Sequence, residues 1–69
     1  MDVTIILLPG KATAKRLQLQ NGSTVLDILN KLNINPDTMI PLRNSSPLPI
    51  DERLKDGDVI ELVRVVSGG

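Results

Sequence analysis

One segment of this sequence carries a helical apolar period: Val25, Ile28, Leu29 and Leu32 fall at i, i+3, i+4 and i+7. Such a stripe has to pack on something. Ser23 or Thr24 can cap the segment, and Asp27 near its start suits the positive end of a helix dipole. Asn33 and Asn35 ahead of Pro36 are stop signals, with Ile34 between them as a further core contact. A single helix is therefore predicted near residues 24–33. Every other apolar segment is short or alternating, so the economical solution is one helix laid across one face of a sheet.

The strands follow from period and punctuation. Val3 to Leu8 is a short β-branched run that stops at the turn signal Pro9-Gly10. After Lys11-Ala12-Thr13, the segment Ala14 to Leu19 puts Leu17 and Leu19 on one face and Arg16 and Gln18 on the other, the mark of a half-buried strand. These two segments should form an antiparallel hairpin, ended by Asn21-Gly22. Thr38 to Arg43 reads as a strand, but Pro41 cannot donate a ladder hydrogen bond, which predicts an edge position or a bulge there. Asn44 to Pro49 is turn-rich and Ile50 to Lys55 irregular. Asp56-Gly57-Asp58 then turns into Val59–Val66, the longest strand candidate.

The first and last strands are the most apolar and should be central neighbours in a mixed sheet. The expected core is Ile5, Leu7, Leu17, Leu19, Val25, Ile28, Leu29, Leu32, Leu54, Ile60 and Leu62, with Val3 as a candidate. Val63 and Val65 should point away from Ile60 and Leu62 by strand alternation. With Ile6 and Leu8 on the adjoining strand, they would form an apolar patch on the uncovered face of the sheet, open to a partner. The competing reading assigns these side chains to the core.

Composition excludes several functions. At 69 residues the chain makes one small domain, burying only about 60% of its unfolded surface. It has no cysteine, histidine, phenylalanine, tyrosine or tryptophan. No disulfide, thiol nucleophile or imidazole proton shuttle is available, and the core must be aliphatic. Eight basic and eight acidic residues cancel, which with the lack of aromatic stacking platforms argues against nucleic-acid binding. No apolar run approaches the ~18 residues needed to cross a bilayer, so a cytoplasmic protein without membrane contact is expected. The glycines are scattered, so no phosphate-cradling loop is present and no cofactor is expected on the chain. Asp56 and Asp58 supply too few oxygens for a calcium or magnesium site and read as a turn. No metal site is expected. Lys11 to Arg16 reads as a solvated hairpin face.

The sharpest chemical feature is the ending Ser67-Gly68-Gly69. Glycine makes up about 7% of average sequence, so a terminal pair arises by chance in roughly half a percent of chains, rarely enough to ask what it does. Lacking Cβ atoms, two glycines let the backbone pass through a narrow channel. Here they follow a predicted central strand after one small residue, placing a carboxylate on a thin tether. The bland alternative is a frayed, solvated terminus.

Taken in order, Asn21-Gly22-Ser23-Thr24-Val25-Leu26-Asp27-Ile28-Leu29, then Pro47-Leu48-Pro49, then Leu54 to Leu62, then Val65-Val66-Ser67-Gly68-Gly69 resemble the β-grasp sulfur carriers. That group includes the small subunit of molybdopterin synthase, the thiamin-pathway carrier, and the archaeal and eukaryotic carriers that double as ubiquitin-like modifiers. The resemblance runs over essentially the whole chain. The short Asn-Gly turn often found after the third strand in these carriers is replaced here by Asn44-Ser45-Ser46.

The resemblance implies an α+β, ubiquitin-like β-grasp domain over residues 1–66, with a four- to five-stranded mixed sheet and one helix. Residues 67–69 would be a flexible tail. It implies a non-enzymatic sulfur carrier in a thiamin, molybdopterin or tRNA-thiolation pathway. A ubiquitin-activating-type enzyme would use ATP to adenylate the Gly69 carboxylate, and a sulfur donor protein would convert it to a thiocarboxylate. Ser67, Gly68 and Gly69 would thread into the partner's site, while Ile6, Leu8, Val63 and Val65 form the docking patch. Further expected partners are a synthase subunit or target-protein lysines, with a monomer when free. Two alternatives remain open: a modifier joined to lysines through Gly69, and a non-covalent β-grasp interaction module.

Overall fold

The computed structural model describes residues 1–8 and 13–65. The sheet follows the apolar runs: β1 (Asp2–Leu8), β2 (Thr13–Gln18), β3 (Met39–Arg43), β4 (Ser46–Pro47) and β5 (Val59–Arg64). They lie in the order β2-β1-β5-β3-β4. β1 and β2 form the expected antiparallel pair, and β1 and β5 run parallel side by side as the central strands. β3 is antiparallel to both β5 and β4. The result is a five-stranded mixed sheet with one helix, the ubiquitin-like β-grasp architecture.

Helix α1 (Val25–Lys31) is shorter than the predicted 24–33 because Thr24 is its cap. Thr24 Oγ1 accepts from the Asp27 N–H at 3.4 Å, and Asp27 Oδ2 accepts from the Thr24 N–H at 2.8 Å. This is a capping box with aspartate in the usual glutamate position. At the other end Asn33 takes the left-handed conformation (φ 57°), which asparagine tolerates and which stops the helix.

The stripe on α1 buries Val25, Ile28 and Leu29 against Val3, Ile5, Ile60 and Leu62 of the sheet, with Leu54 and Met39 completing the core. Each fully buried aliphatic contributes about 2 kcal/mol. Four expected core residues, Leu7, Leu17, Leu19 and Leu32, are only partly buried around this centre, as is Ile34. They sit where the short helix no longer covers the sheet or on its edge strand. Met39 was not expected inside. It opens β3 opposite Arg64, on the helix side of the sheet.

The edge position or bulge expected at Pro41 is not found: β3 lies between β5 and β4, and Pro41 pairs in unbroken register with Leu62. Its carbonyl accepts from the Leu48 N–H at 2.9 Å, so its backbone groups face the β4 side; the β5 ladder needs no N–H from it, and the pairing with β4 ends beside it. The turn-rich segment after it holds the unpredicted β4, which pairs only Leu42 with Pro47 and Arg43 with Ser46. Between β3 and β4, Asn44 (φ 51°) and Ser45 (φ 66°) form a two-residue hairpin loop of the I′ kind. Residues 36–38 form a single 3-10 turn before β3.

Candidate functional site

Strand β5 carries the candidate site because it is central and leads to the C-terminus. It hydrogen-bonds to β1 on one side and β3 on the other. Past its last residue the Val65 N–H still donates to the Thr38 carbonyl at 2.9 Å, so the chain is held to the sheet up to that point. Val66, Ser67, Gly68 and Gly69 lie outside the described residues, as do the Pro9-Gly10 turn and Lys11-Ala12.

Register decides what faces the uncovered side. Ile60 and Leu62 point to the helix, so Val59, Glu61 and Val63 point away. Leu8, Val63 and Ile40 stand in one row across β1, β5 and β3. Ile6, Glu61 and Leu42 form the next row, and Thr4 and Val59 the one after. The structure thus brings Ile6, Leu8 and Val63 together on the open face, and alternation continues to Val65. All four are half-buried. No helix among the described residues covers this face.

The surface is broader than the sequence indicated. Ile40 is 41% exposed and Val59 48% exposed on the same face as Val63, and Leu42 adjoins them, so the exposed aliphatics are contiguous rather than scattered. Ile40 and Leu42 escaped notice because their neighbourhood depends on β3 lying beside β5, which no local pattern reports. Val59 was detectable, since it alternates with Ile60 in the same way as Val63 does with Leu62. Glu61 is the one carboxylate within this apolar field, flanked by Ile6 and Leu42.

The acidic turn after Lys55 has structural duties. Asp56 Oδ1 accepts from the Asp2 N–H at 2.7 Å. Asp58 Oδ2 accepts from the Lys55 N–H and from Arg43 Nη2, both at 2.8 Å. Arg43 also reaches Glu52 Oε2 at 3.2 Å and the Arg53 carbonyl at 3.3 Å, while its Nε has no partner among the described residues. Desolvation opposes the charge on Arg43, but the hydrogen bonds and charges of Asp58 and Glu52 outweigh it and raise its pKa above the ordinary arginine value. Among the described residues no cluster of three or more His, Cys, Asp or Glu side chains is placed to hold a metal. No described helix is long and apolar enough to cross a membrane.

An open apolar sheet face and a central strand leading into a terminal Gly-Gly are compatible with many β-grasp proteins. The deciding observation is that the ThiS family model matches residues 6–69, nearly the whole chain including Gly68 and Gly69. The chain belongs to the ThiS family.

The ThiS-family chain is similar to an uncharacterised protein of Archaeoglobus fulgidus, 41% identical over 49 residues, which cover 71% of this chain and 72% of the other. It is also similar to the sulfur carrier protein TtuB of Thermus thermophilus, 24% identical over 55 residues, covering 80% and 85%. Among solved structures, the ubiquitin of Caldiarchaeum subterraneum superposes with a TM-score of 0.79 at 23% identity, covering 100% of this chain and 98% of that one. SAMP1 from Haloferax volcanii superposes with a TM-score of 0.77 at 21% identity, covering 100% of both. At these identities the two structures show the shared fold. The family matches establish a β-grasp sulfur-carrier family, a class of small carriers.

Proposed function

We propose that this protein is a sulfur carrier whose reactive group is the Gly69 carboxylate, activated by a separate ATP-using enzyme. The observation that carries the reading is the family match running through Gly68-Gly69, which follow the central strand β5 in sequence. A bare carboxylate is a poor electrophile. In the proposed first step its oxygen attacks the α-phosphorus of ATP on the partner and pyrophosphate leaves, giving an acyl-adenylate. A hydrosulfide-level nucleophile from a sulfur donor then attacks the acyl carbon and AMP leaves, giving a thiocarboxylate. The acceptor is a cofactor precursor or a tRNA base.

The chain's own residues supply presentation. Residues 1–66 act as a domain that stays outside the partner's active site while residues 67–69 enter it. Gly68 and Gly69 add no side chain to the tail's cross-section. Ile6, Leu8, Val63 and Val65, joined by Ile40 and Leu42, offer apolar area for docking. Glu61 among them favours a partner with a cation at the matching point. The protein binds no cofactor in this scheme and works in the cytoplasm as a free monomer.

Intact-mass spectrometry of protein from its native host tests the scheme. A species with one sulfur in place of one oxygen, lost on Gly69 deletion, is the expected result. Whole-protein adducts through Gly69 would instead identify a modifier, in which a lysine amine attacks the same activated carbonyl. Neither species under any growth condition would leave a plain interaction domain.

A further inference from the structure

Helix α1 is too short for the sheet it covers. Its seven residues rise about 10 Å, whereas the seven of β1 extend about 23 Å. Beyond the helix C-terminus the inner face of the sheet is left partly uncovered. There Leu7, Leu32, Ile34 and Met39 line a groove of about 520 Å³, together with Lys15 and Arg64.

The two cations stand at unusual positions. Lys15 is opposite Ile5 and Arg64 opposite Met39, so both occupy helix-side positions, where alternation places apolar residues elsewhere in these strands. Both are exposed. No aspartate or glutamate lines the groove among the described residues, although the chain as a whole has as many acids as bases. An apolar floor with two like charges above it is complementary to an apolar side chain flanked by carboxylates. A second copy of this chain would bring Lys15 and Arg64 against their own counterparts.

Position supplies the second argument. Thr38, whose carbonyl holds the Val65 N–H, also lines the groove, so Val65, the last described residue, lies beside its edge. Leu8 borders the groove and also belongs to the open-face row with Val63. An enzyme that draws in the C-terminus while resting on the open face passes this groove.

We propose that the groove docks an acidic, apolar segment of the activating enzyme. An aliphatic side chain enters beside Leu32, Ile34 and Met39, and neighbouring carboxylates pair with Lys15 and Arg64. The proposal rests on the reading that Gly69 is adenylated by that enzyme, and it adds a second contact surface on the opposite side of the sheet.

The test is ATP–pyrophosphate exchange with the adenylating enzyme of the same organism, varying the concentration of the full-length protein. Lys15→Glu with Arg64→Glu should raise KM about tenfold or more and leave kcat within about twofold, because docking is lost and the tail is intact. Lys15→Gln with Arg64→Gln should fall between. The wild-type kcat/KM should decline as salt rises from about 50 to 300 mM, and the charge-reversed protein should lose that dependence. Thermal melts of the same proteins verify folding. An unchanged KM overturns the groove proposal and leaves the activation reading standing. A lowered KM overturns it by showing that the groove held the chain's own carboxylate, and an altered oligomeric state by showing a second copy there. No exchange with the wild-type protein overturns the activation reading, and the proposed occupant with it.

Discussion

Arg43 Nη2 and Asp58 Oδ2 lie 2.8 Å apart, and this pair, with side chains 22% and 15% exposed, ties the end of β3 to the turn that starts β5. The same guanidinium holds Glu52 and the Arg53 carbonyl. That loop in turn satisfies the start of the helix: the Glu52 carbonyl accepts from the Val25 N–H at 3.1 Å and the Ile50 carbonyl from the Leu26 N–H at 2.8 Å. These amides would otherwise be orphan donors of the first turn. Arg43 therefore fixes the end of the domain at which β5 begins, and β5 ends at Arg64 on the opposite side.

Arg43→Ala should destabilise the domain by about 2–3 kcal/mol, because charge-assisted bonds are lost and Asp58 keeps its burial without its cation. Arg43→Lys should recover only a minor part, since a point charge cannot span Glu52, Asp58 and a carbonyl at once. Urea unfolding measures the loss. Amide exchange at Val25 and Leu26 should quicken in both variants. Unchanged exchange there would mean that the 50–54 loop does not depend on Arg43.

Ser45→Gly should stabilise the protein by about 0.5–1 kcal/mol. Ser45 holds φ at 66°, in the left-handed region where a side chain is disfavoured and glycine is not. Differential scanning calorimetry should show the melting temperature rising by a few degrees, as expected for a domain of this size. A fall would show that the Ser45 side chain makes a contact worth more than the backbone strain.

Val63→Asp with Val65→Asp should weaken activation by raising KM in the exchange assay while unfolding stays cooperative. Val63 stands between Leu8 and Ile40, and cross-strand pairs of this kind contribute about 0.2–1 kcal/mol each. A stability loss of about 1–2 kcal/mol is therefore expected alongside the docking defect. Loss of cooperative unfolding would assign these valines to the core.

Deleting Gly69, or replacing Gly68 with a bulky residue, should abolish adenylation and leave the melting temperature almost unchanged. Among the described residues the last fully buried side chain is Leu62, and Gly69 has no side chain to contribute to a core. Activation depends on placing one carboxylate against the ATP α-phosphorus. A displacement of about 1 Å can cost a hundredfold, and losing one residue moves the group by about one Cα spacing, roughly 3 Å or more. Undiminished pyrophosphate exchange by the deletion variant would sink the carrier reading.

The sequence by itself determined the elements and their inner faces. The i, i+3, i+4, i+7 stripe fixed the helix and its buried side, and period-two alternation fixed which side chains of β1 and β5 turn toward it. Pro41 misled: read locally it asked for an edge or a bulge, but β3 is flanked by β5 and β4, and the residue is accommodated because its backbone groups face the short β4 side. The ending in Gly68-Gly69 directed attention to the carboxylate. Tertiary structure decided everything that depends on which strands are neighbours. Ile40, Leu42 and Val63 share a surface only because β3 lies beside β5, and Glu61 is surrounded by apolar residues for the same reason. That Met39 is buried while Leu7 is only partly so is likewise set by how the elements pack and not by either residue's local pattern. The contacts of Arg43 cross 9 to 15 residues of chain. Local patterns record how a segment alternates between two sides, whereas the partners on each side are set by strand order, which requires the whole chain to pack.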